Sequence, residues 1–209
     1  MDIQAQRQFK VLVVGDSCED IYHYGVCERI SPEAPVPDLK ESRIEVKPGM
    51  SSNVVSNLKS FGVSITHLTN IETIKKHRFV SERYNQHLLR VDEGESISIA
   101  PIDIKKIHNI KNGIDAVIIS DYDKGFLSSD DCKKITQIFD NVPVFVDSKK
   151  NDLSCFQNSI LKINEKESKS MFGLPTNSKL ITTLGSSGAL YCGKTYETNT
   201  VEVFDVCGA

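Results

Sequence analysis

Residues 48–62 read P-G-M-S-S-N-V-V-S-N-L-K-S-F-G. Pro48 and Gly49 are a turn signal, and two small serines follow. Beyond Asn53 the apolar residues Val54, Val55, Leu58 and Phe61 recur at helical spacing on one face, and Gly62 stops the run. The stretch describes a chain that turns, brings bare backbone close to a neighbour at Gly49, presents the amide of Asn53 and enters a buried helix. Free N–H groups at a helix start bind oxygen-rich ligands. The same letters also describe an ordinary glycine-capped loop before a core helix, and so short a signature does not separate the two.

On either side of this stretch the chain alternates strand, turn and helix. Phe9 to Val14 is an apolar run ending in Gly15-Asp16, read as a buried parallel strand. Val63–Leu68, Ala116–Ser120, Val142–Val146, Ile160–Ile163 and Leu180–Leu184 read as further strands. Helices are expected over Ile102–Ile110, from a capping box at Ser128–Asp131 to about Phe139, and from Asn164 to Phe172. Ala189 to Val206 reads as antiparallel strands. This rhythm predicts an α/β fold with a mostly parallel central sheet covered by helices.

Two segments break the rhythm. Residues 21–47 contain two alternating strands around R-I-S-P-E-A-P-V-P, whose prolines forbid helix. Residues 74–92 read as a hairpin with Tyr84-Asn85 near its turn. Four such strands form either a small separate sheet, a lid whose free face can pair with another copy, or edge strands that extend the main sheet.

The chain has 209 residues, 39% hydrophobic and 25% charged, with a formal net charge of -3. That length supports one sizeable core. No basic excess points to nucleic acid, and no apolar run approaches membrane-spanning length. Met1 to Lys10 is polar and does not read as a signal peptide. The six cysteines include no C-x-x-C pair and no histidine sits at metal-site spacing, so reduced thiols and a cytoplasmic location are expected. None of the five histidines is given a catalytic role.

The strands end in Gly15-Asp16, Asp121, Asp147, Asn164 and Gly185, which a parallel sheet gathers on one edge. Asp16 and Asp20 can accept hydrogen bonds from sugar hydroxyls, or merely cap the strand. Glycine turns suit phosphates, Lys124 and Lys149 can neutralise them, and Asn164 with Glu167 can hold a hydrated magnesium ion. Singly, each lysine reads equally well as a solvated surface charge. Together the groups suggest phosphoryl transfer.

These residues resemble the ribokinase-like (PfkB) sugar kinases. The opening stretch is similar to that family's G-G-x-x-x-N signature, with Met50 in place of the second glycine. N-E-K-E matches its N-x-x-E motif at Asn164 and Glu167, and T-L-G-S-S-G is similar to its nucleotide turn at Thr183, Gly185 and Gly188. D-V-C-G-A, Asp205 to Ala209, resembles the start of the second signature, which forms an anion hole and carries the catalytic base. V-V-G-D-x-x-x-D, R-I-S-P-E-A-P-V-P, Q-x-L-L-R-V-D and S-D-Y-D-K-G are similar to the kinase half of the bifunctional ADP-heptose synthases.

The resemblance implies a three-layer ribokinase-like sandwich with a small β lid at about 21–47 and 74–92, forming one incomplete domain over residues 1–209. It implies ATP and Mg²⁺ as cofactors and a sugar phosphate, a heptose 7-phosphate, as substrate. Asp20, Gly49 and Asn53 would hold the sugar, with Asp16 as a second acceptor and Arg29 and Arg90 on its phosphate. Lys124 and Lys149 would face phosphates, Asn164 and Glu167 would organise Mg²⁺, and Thr183, Gly185 and Gly188 would bind nucleotide. Gly208 and Ala209 would begin the anion hole. Two departures stand out. The chain passes almost directly from Asn70 to Glu72, where the family has a further helix and strand. The family's base follows just beyond the position of Ala209, so the 209 residues are expected to lack it. A homodimer through the lid is expected, with no nucleic acid and no membrane. A non-catalytic sugar-phosphate-binding or partner protein derived from such a kinase is the alternative.

Overall fold

The computed structural model describes residues 7–175 and 177–199. In chain order the elements are β1 (Lys10–Gly15), β2 (Ser17–Ile30), β3 (Pro37–Met50), α1 (Ser51–Lys59), β4 (Ser64–Leu68), β5 (Lys75–Ser81) and β6 (Gln86–Glu93). There follow α2 (Ile104–Ile110), β7 (Ala116–Asp121), α3 (Ser129–Ile138), β8 (Val144–Ser148), β9 (Ile160–Asn164) and α4 (Glu165–Ser168). The last are β10 (Lys179–Thr183), a 3-10 turn at Gly185–Ser187, β11 (Ala189–Tyr191) and β12 (Lys194–Tyr196).

Eight strands form the main sheet in the order β12-β11-β10-β9-β8-β7-β1-β4. The six from β10 to β4 are parallel, and β11 and β12 add an antiparallel edge. The core lies on one face, where Leu12 and Val14 of β1 stand beside Val117 and Ile119 of β7 and Val144 and Val146 of β8. Ile107 of α2 and Ile135 of α3, both fully buried, close that face. The capping box expected at the start of α3 is formed, with Ser128 and Asp131 exchanging hydrogen bonds. The α/β class with its mostly parallel sheet is thus the one the alternation predicts.

Helix α1 lies on the opposite face. Ser51 reaches the carbonyl of Gly15 and the ring of His67, which stands across from Val13. The expectation that its apolar face is buried is not met. Val54, Val55 and Leu58 are only partly covered and Phe61 is 76% exposed. The reason is position: α1 packs over β1 and β4, and β4 is the edge of the sheet, so among the described residues no further strand or helix covers its outer side. The helix expected to reach Phe172 ends at Ser168. Phe172 instead exchanges backbone hydrogen bonds with Asn151 and Leu153, a long-range pairing that outweighs local helical preference.

A second sheet runs in the order β3-β2-β5-β6. The connection into it is short but fixed: the Asn70 amide bonds both the N–H and the carbonyl of Ser17, and Glu72 accepts from the N–H of Ala100. Strand alternation gives this sheet two unlike faces. One carries Asp20, Tyr22, Lys47, Lys76, Arg78 and Arg90; the other carries Ile21, His23, Ile44, Val46, Phe79 and Val91.

Candidate functional site

Parallel pairing brings the strand ends to one edge: Gly15 stands beside Ser120, Asp121 beside Ser148, Asp147 beside Lys162 and Asn164 beside Thr183. Asp16, just past β1, is fully buried. Its carboxylate accepts the N–H groups of Tyr122 at 2.7 Å, Phe126 at 3.4 Å and Lys124 at 3.5 Å, and its carbonyl accepts from Ser51 N. A carboxylate out of water needs donors, and the loop after β7 has N–H groups without strand partners. Asp16 is therefore occupied as the peg that ties the D-Y-D-K-G loop to the start of α1, rather than open to a hydroxyl.

Asp20 is also buried, at 8% exposure, where the sequence suggests an open strand end. One of its oxygens takes Arg78 at 2.8–2.9 Å. Gly49 lies directly beside it: a Cβ there would meet Asp20 Oδ2 at 2.4 Å and Cys18 Sγ at 2.5 Å. A side chain at position 49 would therefore displace Asp20 and Cys18. Burial, with Asp20 adding to it, pushes the Cys18 thiol up to about 11, so it stays protonated. Asn53 follows in the first turn of α1, which has no side-chain cap. The Ser51 N–H is taken by the Asp16 carbonyl, and the N–H groups that follow it in the first turn lie beyond Gly49 without a side-chain cap.

Tyr122 stands between the second sheet and the end of β8. Its ring has Lys76 of the second sheet on it at 5.6 Å and Lys149, just past β8, also at 5.6 Å. Burial first, then the nearby Asp147 carboxylate, raises its hydroxyl above the usual range. Neither Tyr122, Lys76 nor Arg78 stands out in the sequence. Tyr122 lies inside the quoted D-Y-D-K-G motif, and strand parity places Lys76 and Arg78 on the face of Asp20, which were the only signals available.

The lysines singled out from the sequence are engaged. Lys124 bonds Glu95 at 2.7 Å, and Lys149 bonds Glu167, with Asp147 at 3.8 Å. Beneath them Lys150 pairs with buried Asp121 at 3.3 Å and with Asp123. Asn164 and Glu167 come together as expected, but as a reciprocal cap on α4: Glu167 N donates to Asn164 Oδ1 and Asn164 N to Glu167 Oε2, each at 2.8 Å. Burial works against ionisation of Glu167, but Lys149 and the Asn164 N–H outweigh it and lower its pKa. The Oδ1 of Asp147 is buried without a hydrogen bond.

Thr183 ends β10 and donates to the carbonyl of Ile163 at 3.2 Å. Gly185 is left-handed, at φ 59, with open space where a side chain would go. A Cβ at Gly188 would lie 2.0 Å from the Tyr196 carbonyl oxygen. Arg90 shares the Asp20 face, across from Arg78, and bonds Asp92. Arg29 lies nine residues beyond Asp20 along β2, roughly 30 Å at strand rise, bonded to Asp38. The structure does not bring it to the cleft. Gly208 and Ala209 lie outside the described residues. Among the described residues no cluster of three metal-ligating side chains occurs and no helix is long and apolar enough to cross a membrane.

No family model matches the chain. It is similar to the bifunctional protein HldE of a Nitratiruptor species, 34% identical over 196 residues covering 78% of this chain and 42% of that protein. The HldE of Pectobacterium atrosepticum is 36% identical over 186 residues, 74% of this chain and 38% of its own. The chain thus spans less than half the length of these curated relatives. Among solved structures, phosphofructokinase-2 from Escherichia coli in complex with substrates and products superposes with a TM-score of 0.61 at 14% identity, over 95% of this chain and 81% of that one. The chain is thus similar in sequence to part of the HldE proteins, and its two-sheet fold is the one seen in ribokinase-like sugar kinases.

Proposed function

We propose that the chain serves ATP-dependent phosphorylation of the anomeric hydroxyl of a heptose 7-phosphate. The bond from that hydroxyl oxygen to the γ-phosphorus forms as the bond to the β–γ bridging oxygen breaks. ADP leaves, and the hydroxyl proton passes to a carboxylate base. The observation that carries this reading is the corner where Asp20, Gly49 and the uncapped start of α1 meet across the cleft from Asn164, Glu167 and the Thr183–Gly188 turn. Asp20 Oδ2 and the first-turn N–H groups, with Asn53, would hold sugar hydroxyls. Arg90, on the Asp20 face, would leave Asp92 to take the sugar's own phosphate. Asp147, with its unbonded oxygen, and Glu167 fit a hydrated Mg²⁺, which keeps several waters and takes one or two carboxylates. The magnesium ion, when bound, would neutralise charge on the phosphates. Lys124 is turned to Glu95 and must leave it to serve a phosphate.

Two copies are proposed to pair through the outer face of the second sheet, where Ile44, Val46, Leu89 and Val91 are 45–60% exposed. Sedimentation at increasing concentration tests this, and a mass that stays monomeric would refute it.

One observation favours a second reading. Asn164 and Glu167 bond each other and Glu167 also bonds Lys149, an arrangement that suits a protein that holds a sugar phosphate without turning it over. A coupled ADP-release assay with Mg²⁺ and heptose 7-phosphate separates the two. ADP release that depends on the sugar phosphate is expected under the kinase reading. Sugar-phosphate binding without ADP release would favour the second reading.

A further inference from the structure

We propose that Lys76, carried by the second sheet, binds the phosphoryl group in transit between nucleotide and sugar, with Tyr122 and Lys149 completing its seat; this rests on the kinase reading above. Lysines around the strand ends are paired with carboxylates: Lys47 with Glu45, Lys124 with Glu95, Lys149 with Glu167, Lys150 with Asp121, and Lys162 with Asp147. Lys76 makes no ion pair with any described residue. The shortage is not one of nearby acid. Asp20 and Asp92 stand directly across from it on the two flanking strands. Arg78 holds the first and Arg90 the second. With both neighbouring carboxylates taken, the Lys76 ammonium extends across the cleft to the Tyr122 ring, 5.6 Å from its centre. A cation over an aromatic face is attracted weakly compared with one against a phosphate.

The position identifies the ligand. Lys76 sits beside Asp20, at the sugar corner, yet the ring it reaches is shared with Lys149, whose own partner Glu167 belongs to the nucleotide corner. Tyr122 is held between the two corners because Asp16 bonds both its N–H and, through the carbonyl, the start of α1. The group that lies between a sugar hydroxyl and a nucleoside diphosphate is the transferred phosphoryl. Positive charge placed where that group spreads its own charge is how such transfers are accelerated.

The test compares ADP with the non-hydrolysable triphosphate AMP-PNP, which differ by that phosphoryl. Both are titrated calorimetrically, with Mg²⁺, into the full-length protein saturated with heptose 7-phosphate, as wild type, Lys76→Met and Lys76→Arg. Lys76→Met is expected to weaken AMP-PNP about ten- to a hundredfold, the range for a lost charged hydrogen bond. ADP and the sugar phosphate should stay within about twofold, and Lys76→Arg should recover most of the loss. Equal losses for ADP and AMP-PNP would show a structural role and overturn the proposal. So would a loss confined to the sugar phosphate, or no change. If the wild type binds neither nucleotide, the kinase reading falls and this inference with it. If it binds both and Lys76→Met is silent, only this inference falls.

Discussion

The two corners of the cleft are built in opposite ways. At the corner proposed for the sugar the groups come from far apart in the chain: Asp20 meets Arg78, Gly49 is wedged against Asp20 and Cys18, and Lys76 crosses to Tyr122. At the corner proposed for the nucleotide the closest contacts are between near neighbours: Asn164 with Glu167 three residues on, and Leu184 N–H with the Gly188 carbonyl. The first corner therefore depends on the two sheets staying in register. The second rests more on contacts between residues three or four apart, with Lys149 as a longer-range support for Glu167. Substitutions should cost more at the first than at the second.

The largest effect is expected from Asp20→Ala. It takes the carboxylate from Arg78 in a pair whose side chains are 12% and 13% exposed. Breaking a buried pair typically costs about 3–5 kcal/mol. A melting temperature within a degree of wild type would break the contrast at once. Next comes Gly49→Ala, whose new Cβ meets Asp20 and Cys18 inside 3 Å. Overpacking of this kind costs about 1–3 kcal/mol, and sugar-phosphate affinity should fall with it, as calorimetry would show. At the other corner Gly185→Ala meets open space and bears only the left-handed backbone, about 1–2 kcal/mol, read by chemical denaturation.

Glu167→Gln should be the smallest and the most pH-dependent. The folded protein holds the Glu167 pKa below its ordinary value, so its stabilising contribution is present above the unfolded value of about 4.5 and fades as pH falls through the lower folded value. The stability gap between wild type and Glu167→Gln should be constant near neutrality and close in acid. A gap that widens in acid would mean that burial dominates this carboxyl after all.

Much of this architecture is legible without coordinates. The strand–turn–helix alternation names the six parallel strands to within about two residues, and the Ser128 box opens α3 where it is read. Asn164 and Glu167 are also found together, because a cap is a relation between residues three apart. Where the reading fails, the cause is long-range. Asp16 looks like a free carboxylate until the loop after β7 arrives to take it. Phe61 looks like core until β4 proves to be the edge. Phe172 looks helical until Asn151 and Leu153 pair with it.

Local sequence determines which segments form strands and helices, and that their polar and glycine ends share one edge, because apolar periodicity and capping act over a few residues. Only the tertiary structure decides that Asp20 belongs to Arg78 and that Asp16 serves the backbone. Tertiary packing likewise leaves Lys76 without a carboxylate at the centre of the cleft. Those outcomes depend on strand order and register between residues more than forty positions apart, where each charged group takes whichever partner the pairing of the sheets brings within reach.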